Sequence, residues 1–396
     1  MRTRHTKEFE MMHGSRIDVA FILSTSQQQP HPHDATQRHL LQQSRLLTMK
    51  RQLPLLDISL FYSNQALFVE KLRSACHNVG FFLLKHDLPS GLVEEQLEVS
   101  KAFFALPSSE KMRVSYDHSP SFRGYMQLGV ENTAGQVDFR EQLEYAVEYD
   151  PPPDCRTSWP PYTRLKGTNP WPDATMERVC KEYAKHVCRI ADCIRTSLCL
   201  ALQLDENALS QHFDKPDEPP HWVMKLISYP PAKDAAGGQG VGPHTDTNFL
   251  TLVLQDQVGG LQAFTDGEWI DVPSLGSNVL VCNLGEQTQV WSRGYFLATP
   301  HRVLATPAQR ISVPLFYNPA LSAQIQPIDA DAVIPESLLW ERSIEKKHWH
   351  RDNNAMLASV GENTFKSLAR SHPKVFAKHH GDLTLLPDGR AVSKSS

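Results

Sequence analysis

Gly242-Pro243-His244-Thr245-Asp246-Thr247-Asn248 begins the stretch whose reading decides the fold, and Arg310-Ile311-Ser312 ends it. A single residue separates an imidazole from a carboxylate. In an extended strand, residues i and i+2 project from the same face, so His244 and Asp246 can reach one ion together. A third ligand stands in Ala298-Thr299-Pro300-His301-Arg302-Val303, 55 positions after Asp246, and strand-like apolar runs between them can carry the chain back past the first pair. Two histidines and one carboxylate on one face of an iron(II) octahedron leave the other positions open to substrate and dioxygen. His244, Asp246 and His301 are therefore the candidate metal ligands and the centre of any catalysis.

Arg310 and Ser312 repeat the i, i+2 spacing nine residues after His301. A guanidinium offers a fixed fork of donors to a carboxylate, and a neighbouring hydroxyl adds one more hydrogen bond, so the pair reads as an anion anchor beside the metal. Taken singly, each piece is bland: H-x-D arises by chance, a lone histidine is commonly structural, and Arg-x-Ser on a strand usually faces solvent. Their order changes the reading, because Ser228-Tyr229-Pro230-Pro231 precedes them in sequence. H-x-D, a distal His and R-x-S after a Tyr-Pro resemble the 2-oxoglutarate- and iron(II)-dependent dioxygenases, in the branch that also holds isopenicillin N synthase. The resemblance runs from about Leu53 to the region of His372.

The resemblance implies iron(II) on His244, Asp246 and His301, with 2-oxoglutarate held by Arg310, Ser312 and Tyr229. Dioxygen is the second cosubstrate, and ascorbate a stimulant of turnover. The substrate is a small molecule, expected from specialised metabolism, oxidised at an unactivated C–H by hydroxylation, desaturation or oxidative ring closure with release of succinate and carbon dioxide. Phe122-Arg123-Gly124-Tyr125 resembles the border of the family's substrate mouth, which makes Arg123, Tyr125 and Asn248 candidate substrate residues. For Arg123 and Arg140, ion pairs with Glu141 or Glu144 are an equal reading. Two departures stand out: Ile227 occupies the place of an Asn found in many plant members, and Gly285-Glu286 replaces a Gly-Asp. An oxidase of the isopenicillin N synthase type, or a non-catalytic ligand-binding protein on the same scaffold, is the competing reading. A zinc hydrolase would leave the Arg-x-Ser anchor without a purpose.

Composition narrows the partners. The 40 basic residues nearly balance 44 acidic ones, which supplies no strong field for nucleic acid or an anionic membrane. No apolar run approaches the roughly 18 to 20 residues of a membrane span. Seven cysteines without a C-x-x-C pair argue against a zinc site or disulfide framework and for a reducing compartment. A cytoplasmic monomer is the expectation. The first 48 residues have neither an apolar signal core nor the acid-free character of a transit peptide, since Glu8, Glu10 and Asp18 interrupt them, although organellar targeting stays open.

Along the chain, residues 1–50 are polar and rich in Gln, His, Ser and Thr, and read as a disordered extension in which His31 and His33 are no more than mobile polar groups. Residues 51–221 carry short strands and helices expected to pack on the barrel. Helical spacing covers Gln65 to Cys76, Leu92 to Phe104, Asp205 to Phe213 and, most strongly, Pro172 to Leu204, where Met176, Val179, Tyr183, Val187, Ile190, Ile194, Leu198 and Leu202 follow steps of three and four. Residues 222–320 hold short strands punctuated by turns, which predicts a double-stranded β-helix, a jelly roll of the cupin-like kind, in a mainly β fold with flanking α-helices. Ala232 to Gly242 reads as a loop. Residues 321–380 are expected to supply helices near the barrel mouth, including Glu362 to Ser371, and 381–396 a polar tail. His348, His350, His379 and His380 are expected in solvent.

Overall fold

Polar and apolar residues alternate along Arg310-Ile311-Ser312-Val313, and the alternating direction of successive side chains in the strand is what separates a packed face from a chamber. The computed structural model describes residues 52–394 apart from 134, 150–153, 155–157, 233–238, 325 and 329–355. The expected 1–50 extension, His31, His33, the triple proline at 151–153, Pro335 to Leu339, His348 and His350 lie outside the described residues.

In chain order the strands are β1 (Leu55–Asp57), β2 (Phe81–Lys85), β3 (Gly124–Met126), β4 (Asn132–Thr133), β5 (Gln136–Val137), β6 (Glu141–Ala146), β7 (Val223–Tyr229) and β8 (Gln239–His244). They continue as β9 (Leu250–Gln255), β10 (Leu261–Thr265), β11 (Glu268–Asp271), β12 (Val279–Leu284), β13 (His301–Leu304), β14 (Arg310–Tyr317), β15 (Leu383–Leu385) and β16 (Ala391–Ser393). Eight strands form one sheet in the order β1-β2-β12-β9-β14-β7-β6-β3, and four form a second, β11-β10-β13-β8. Apart from the β10–β11 hairpin, most neighbours in the two sheets come from distant parts of the chain, as in a jelly roll. The two sheets meet through Phe81, Leu83, Ile227, Val281 and Val279 of the large one and Val241, Leu261, Ala263 and Val303 of the small one.

The other face of the large sheet is closed by helix Ala174–Ala201. Asp173 caps its start by accepting from the Met176 amide at 2.8 Å. Val179, Tyr183, Val187, Ile190, Ile194 and Leu198 are fully buried in one cluster with Leu250, Leu252 and Leu254 of β9 and Ile311, Val313 and Leu315 of β14. Each such side chain is worth about 1.5–3 kcal/mol of transfer free energy, and truncating Leu198 to Ala would cost about 2–5 kcal/mol. Cys180 and Cys199 sit in the same cluster as free thiols, and burial pushes Cys180 up to about 12, so they behave as apolar packing groups.

This is the mainly β, double-stranded β-helix core with flanking helices, but three regions depart from expectation. Residues 51–221 do more than pack on the barrel: they contribute β1, β2, β3 and β6 to its large sheet. Part of the expected 232–242 loop is strand β8, paired with β13. The segment after His380 is no tail, because β15 and β16 form a hairpin closed by Leu386 donating to the Arg390 carbonyl at 2.9 Å.

Candidate active site

Strand pairing brings the three metal-ligand candidates together. His244 ends β8 and His301 begins β13, and the two are direct ladder partners. Asp246 follows β8 by two residues, its backbone held by Glu286, whose amide donates to the Asp246 carbonyl at 2.8 Å. Gly285 makes this approach possible: a Cβ there would lie 2.0 Å from the Asn248 carbonyl oxygen. Asp246 Oδ1 lies 3.7 Å from His244 Nε2 and 3.6 Å from His301 Nε2. One ligand atom from each of the three residues falls within 4.8 Å of the others.

The remaining atoms of the triad are fixed from behind. His244 Nδ1 contacts the Gly242 carbonyl at 2.8 Å, and His301 Nδ1 the Thr299 carbonyl at 3.1 Å. A carbonyl only accepts, so each Nδ1 carries the proton and each Nε2 turns a lone pair toward Asp246. Asp246 Oδ2 accepts from Thr251 Oγ1 at 2.6 Å and from Asn283 Nδ2 at 2.7 Å. Burial, reinforced by the adjacent His301, pushes His244 down to about 4. Burial alone would raise Asp246, but His301, His244 and the Thr251 and Asn283 hydrogen bonds outweigh it and hold the carboxyl below its ordinary value. Neutral imidazoles and an ionised carboxylate are the protonation states that bind a divalent ion.

Along the same chamber, Arg310 of β14 lies opposite Tyr229 of β7, its guanidinium 4.8 Å from the centre of the tyrosine ring. Its Nη groups donate to Ser312 Oγ at 3.1 Å and Gln255 Oε1 at 3.2 Å, and among the described residues Nε has no partner. Arg310 is 1% exposed and, among the described residues, has no carboxylate partner. A buried cation left so is costly, and an incoming carboxylate would relieve it.

The substrate candidates divide. Asn248 lines the chamber, buried, with Oδ1 unpartnered among the described residues. Arg123 does not: it is 1% exposed, and its guanidinium donates to the carbonyls of Gly167, Leu165 and Val147 and to Asn169 Oδ1 at 2.6–3.1 Å. Tyr125 is likewise committed, donating to Glu141 Oε2 at 2.5 Å. Both are structural residues. Arg140 pairs with Glu131 and Asp138, at 3.3 and 3.4 Å, and with neither Glu141 nor Glu144. His379 bonds the Asp117 carbonyl, and His380, expected in solvent, is fully buried. Sequence reasoning passes over Thr251, Gln255 and Asn283, although each is a polar residue at an inward position of an otherwise apolar strand. Glu286, which stands where the family pattern has Asp, takes a place beside the triad: its carboxylate accepts from Thr245 Oγ1 at 2.5 Å.

Two family models match the chain: residues 53–174 fit the N-terminal region of the non-haem dioxygenases in morphine synthesis, and residues 220–319 the 2OG-Fe(II) oxygenase superfamily. The chain is 30% identical over 348 residues to the 2-oxoglutarate-dependent dioxygenase frbJ of Dothideomycetidae sp. (strain 11243), covering 82% of this chain and 91% of that protein. It is 33% identical over 276 residues to the homoarginine-6-hydroxylase 2-ODD-C23 of Glycine max, covering 66% and 80%. Its fold matches the crystal structure of a full-length Neurospora crassa protein in complex with alpha-KG at a TM-score of 0.62 and 22% identity, covering 80% of this chain and 96% of that one. The chain belongs to the 2-oxoglutarate- and iron(II)-dependent oxygenase superfamily. It is an oxidoreductase that uses iron(II) and 2-oxoglutarate to oxidise small molecules.

Proposed function

We propose that His244 Nε2, Asp246 Oδ1 and His301 Nε2 hold iron(II), and that Arg310, flanked by Ser312 and Tyr229, takes the distal carboxylate of 2-oxoglutarate. One observation carries this reading: two imidazoles and a carboxylate converge in a chamber whose wall also holds a buried guanidinium with no carboxylate partner among the described residues. When bound, the metal and its cosubstrate supply oxidative decarboxylation to succinate and carbon dioxide, coupled through dioxygen to oxidation of an unactivated C–H. The chain's own groups position. Thr251 and Asn283 hold the Asp246 carboxylate, Gly242 and Thr299 fix the two imidazole tautomers, and Val253, Leu261 and Val303 line the chamber with apolar surface.

Among the possible outcomes, hydroxylation is the one we favour, in keeping with the homoarginine-6-hydroxylases to which the chain is similar. We further infer a cytoplasmic monomer acting on a free metabolite of specialised metabolism, without nucleic-acid or membrane partners. The balance of 40 basic and 44 acidic residues, the free thiols, and the lack of any helix among the described residues long and apolar enough to cross a membrane support this. The test is anaerobic titration of the iron-loaded protein with 2-oxoglutarate, read by the visible charge-transfer band of the chelate. A screen of small metabolites for stimulated succinate release follows. A protein that formed no chelate band, or turned over a substrate at full rate without 2-oxoglutarate, would refute the assignment.

A further inference from the structure

The inward face of the large sheet carries a charged pair that the metal and the Arg310 anchor do not use. Glu144 of β6 and Lys225 of β7 are direct cross-strand partners, and both line the chamber. Lys225 Nζ lies 3.1 Å from Glu144 Oε2, yet that oxygen is buried without a hydrogen bond of acceptable geometry. Lys225 also sits 5.7 Å from the centre of the Phe316 ring. The pair is nearly desolvated, with side chains 19% and 4% exposed. The pair shares its surroundings with Arg140, Glu131 and His372, where Glu131 contacts both of the others at 3.3 Å, and a buried ion pair adds little stability over apolar residues of the same volume. Lys225 stands four residues from Tyr229 along β7, about 13 Å at roughly 3.3 Å per residue, which sets the pair apart from the Arg310 end.

Two more acceptors line the same chamber without a hydrogen-bond donor among the described residues. Asn318 Nδ2 donates to the His221 carbonyl at 3.1 Å, so its Oδ1 must accept from Gln287 Nε2 at 3.2 Å, which leaves Gln287 Oε1 unpartnered. Asn248 Nδ2 donates to the Leu250 carbonyl and to Thr251 Oγ1, which leaves Asn248 Oδ1 unpartnered as well.

We propose that Glu144 and Lys225 are the specificity-determining residues for an α-amino-acid headgroup. The substrate ammonium meets Glu144, its carboxylate meets Lys225, and an N–H-bearing side chain reaches past Gln287 and Asn248 toward the metal ligands. The proposal rests on the oxygenase reading of the site. Opposed side chains on paired strands have Cβ atoms about 4.5–5.5 Å apart, which suits an ammonium and a carboxylate borne on one carbon. The four charges then alternate in sign, and each group of the pair gains a hydrogen-bonding partner. An apolar substrate would leave Glu144, Gln287 and Asn248 desolvated and unmatched.

The test is calorimetric titration of the anaerobic enzyme, loaded with iron(II) and 2-oxoglutarate. The probes are the common L-amino acids and L-homoarginine, each binder also tested as its Nα-acetyl derivative and methyl ester. At least one free amino acid should bind, and each cap should weaken it about tenfold or more, the scale of one charge-assisted contact. In Glu144→Gln the acetyl penalty should vanish while the ester penalty persists, and Lys225→Met should show the reverse. Should either variant fail to fold, the capped ligands on the parent enzyme decide alone. An enzyme that binds 2-oxoglutarate normally yet binds no amino acid, or binds capped and free forms alike, overturns the headgroup assignment. Loss of 2-oxoglutarate binding in the parent would instead defeat the oxygenase reading beneath it.

Discussion

His244 and His301 face each other across the β8–β13 ladder, the last residue of one strand against the first of the other, with ring centroids 4.3 Å apart. The register slips immediately after this pair, between His301 and Val303. The ladder thus aligns the two imidazoles from residues 57 apart in sequence, and the carboxylate arrives from the turn that follows β8.

If these atoms hold the metal, His244→Ala and His301→Ala should abolish turnover and iron binding. Asn283→Ala and Thr251→Ala keep all three ligands and remove the groups that orient Asp246 Oδ2, Thr251→Ala also removing an acceptor of Asn248 Nδ2. Each should lower iron affinity by about 10- to 100-fold, the range found for partners one step behind a ligand. Iron titration of the apo protein checks this, and wild-type affinity in both variants would mean that Asp246 needs no such support.

Arg310→Lys keeps the charge but loses the fork that reaches Ser312 and Gln255. It should weaken 2-oxoglutarate by roughly 1.5 to 3 kcal/mol, about 10- to 150-fold, and leave iron binding intact. Ser312→Ala should cost on the order of 1 kcal/mol. The Michaelis constant for 2-oxoglutarate and the chelate titration report both effects.

The legible parts of the fold were those where side-chain period and burial agree. Helix Ala174–Ala201 and strand β14 each repeat their pattern over at least two full periods, and both form where expected. Strand β8 was obscured because Gln239-Gly240-Val241-Gly242-Pro243 contains glycines and a proline, and its pairing with β13 is a tertiary fact. The β15–β16 hairpin did leave a sign, Pro387-Asp388-Gly389, a turn sequence whose Gly389 takes a φ of +91°. In the site, the ligand triad was readable from spacing. Arg123 and Arg310 look alike in sequence, yet one is enclosed by backbone carbonyls and the other opens on a chamber, a difference set by residues more than 20 positions away.

Arg123→Met should therefore act on stability. It strips donors from the carbonyls of Val147, Leu165 and Gly167 in a buried setting, at a cost of about 2–4 kcal/mol. Denaturant unfolding should show the loss, while the Michaelis constant for substrate in the folded fraction stays unchanged. A raised constant with unaltered stability would restore Arg123 to the substrate mouth.

Two buried histidines set an acid limit on the fold. His380 stacks on Phe122 with ring centroids 5.3 Å apart; its Nε2 lies 2.8 Å from the Pro120 carbonyl and its Nδ1 3.4 Å from Arg164 Nη1. The carbonyl requires the proton on Nε2, so Nδ1 is the lone-pair side and meets the guanidinium; a second proton there would oppose Arg164. Burial, aided by Arg164, pushes His380 down to about 4, and burial with Arg123 and Lys166 nearby pushes His221 down to about 3, both from an ordinary value of 6.5. A depressed folded pKa gives stability that is fully present above 6.5 and is lost as pH falls, because the unfolded chain takes up protons that the native state refuses. Between pH 6.5 and about 4 the unfolding free energy should fall with a slope that includes close to one proton from each histidine. His380→Gln retains an N–H for the Pro120 carbonyl but does not titrate, so its slope in this window should be shallower by about one proton, whatever its stability at pH 7. Urea unfolding of parent and variant at half-unit steps across the window measures both slopes; equal slopes would show that His380 is protonated in the native state.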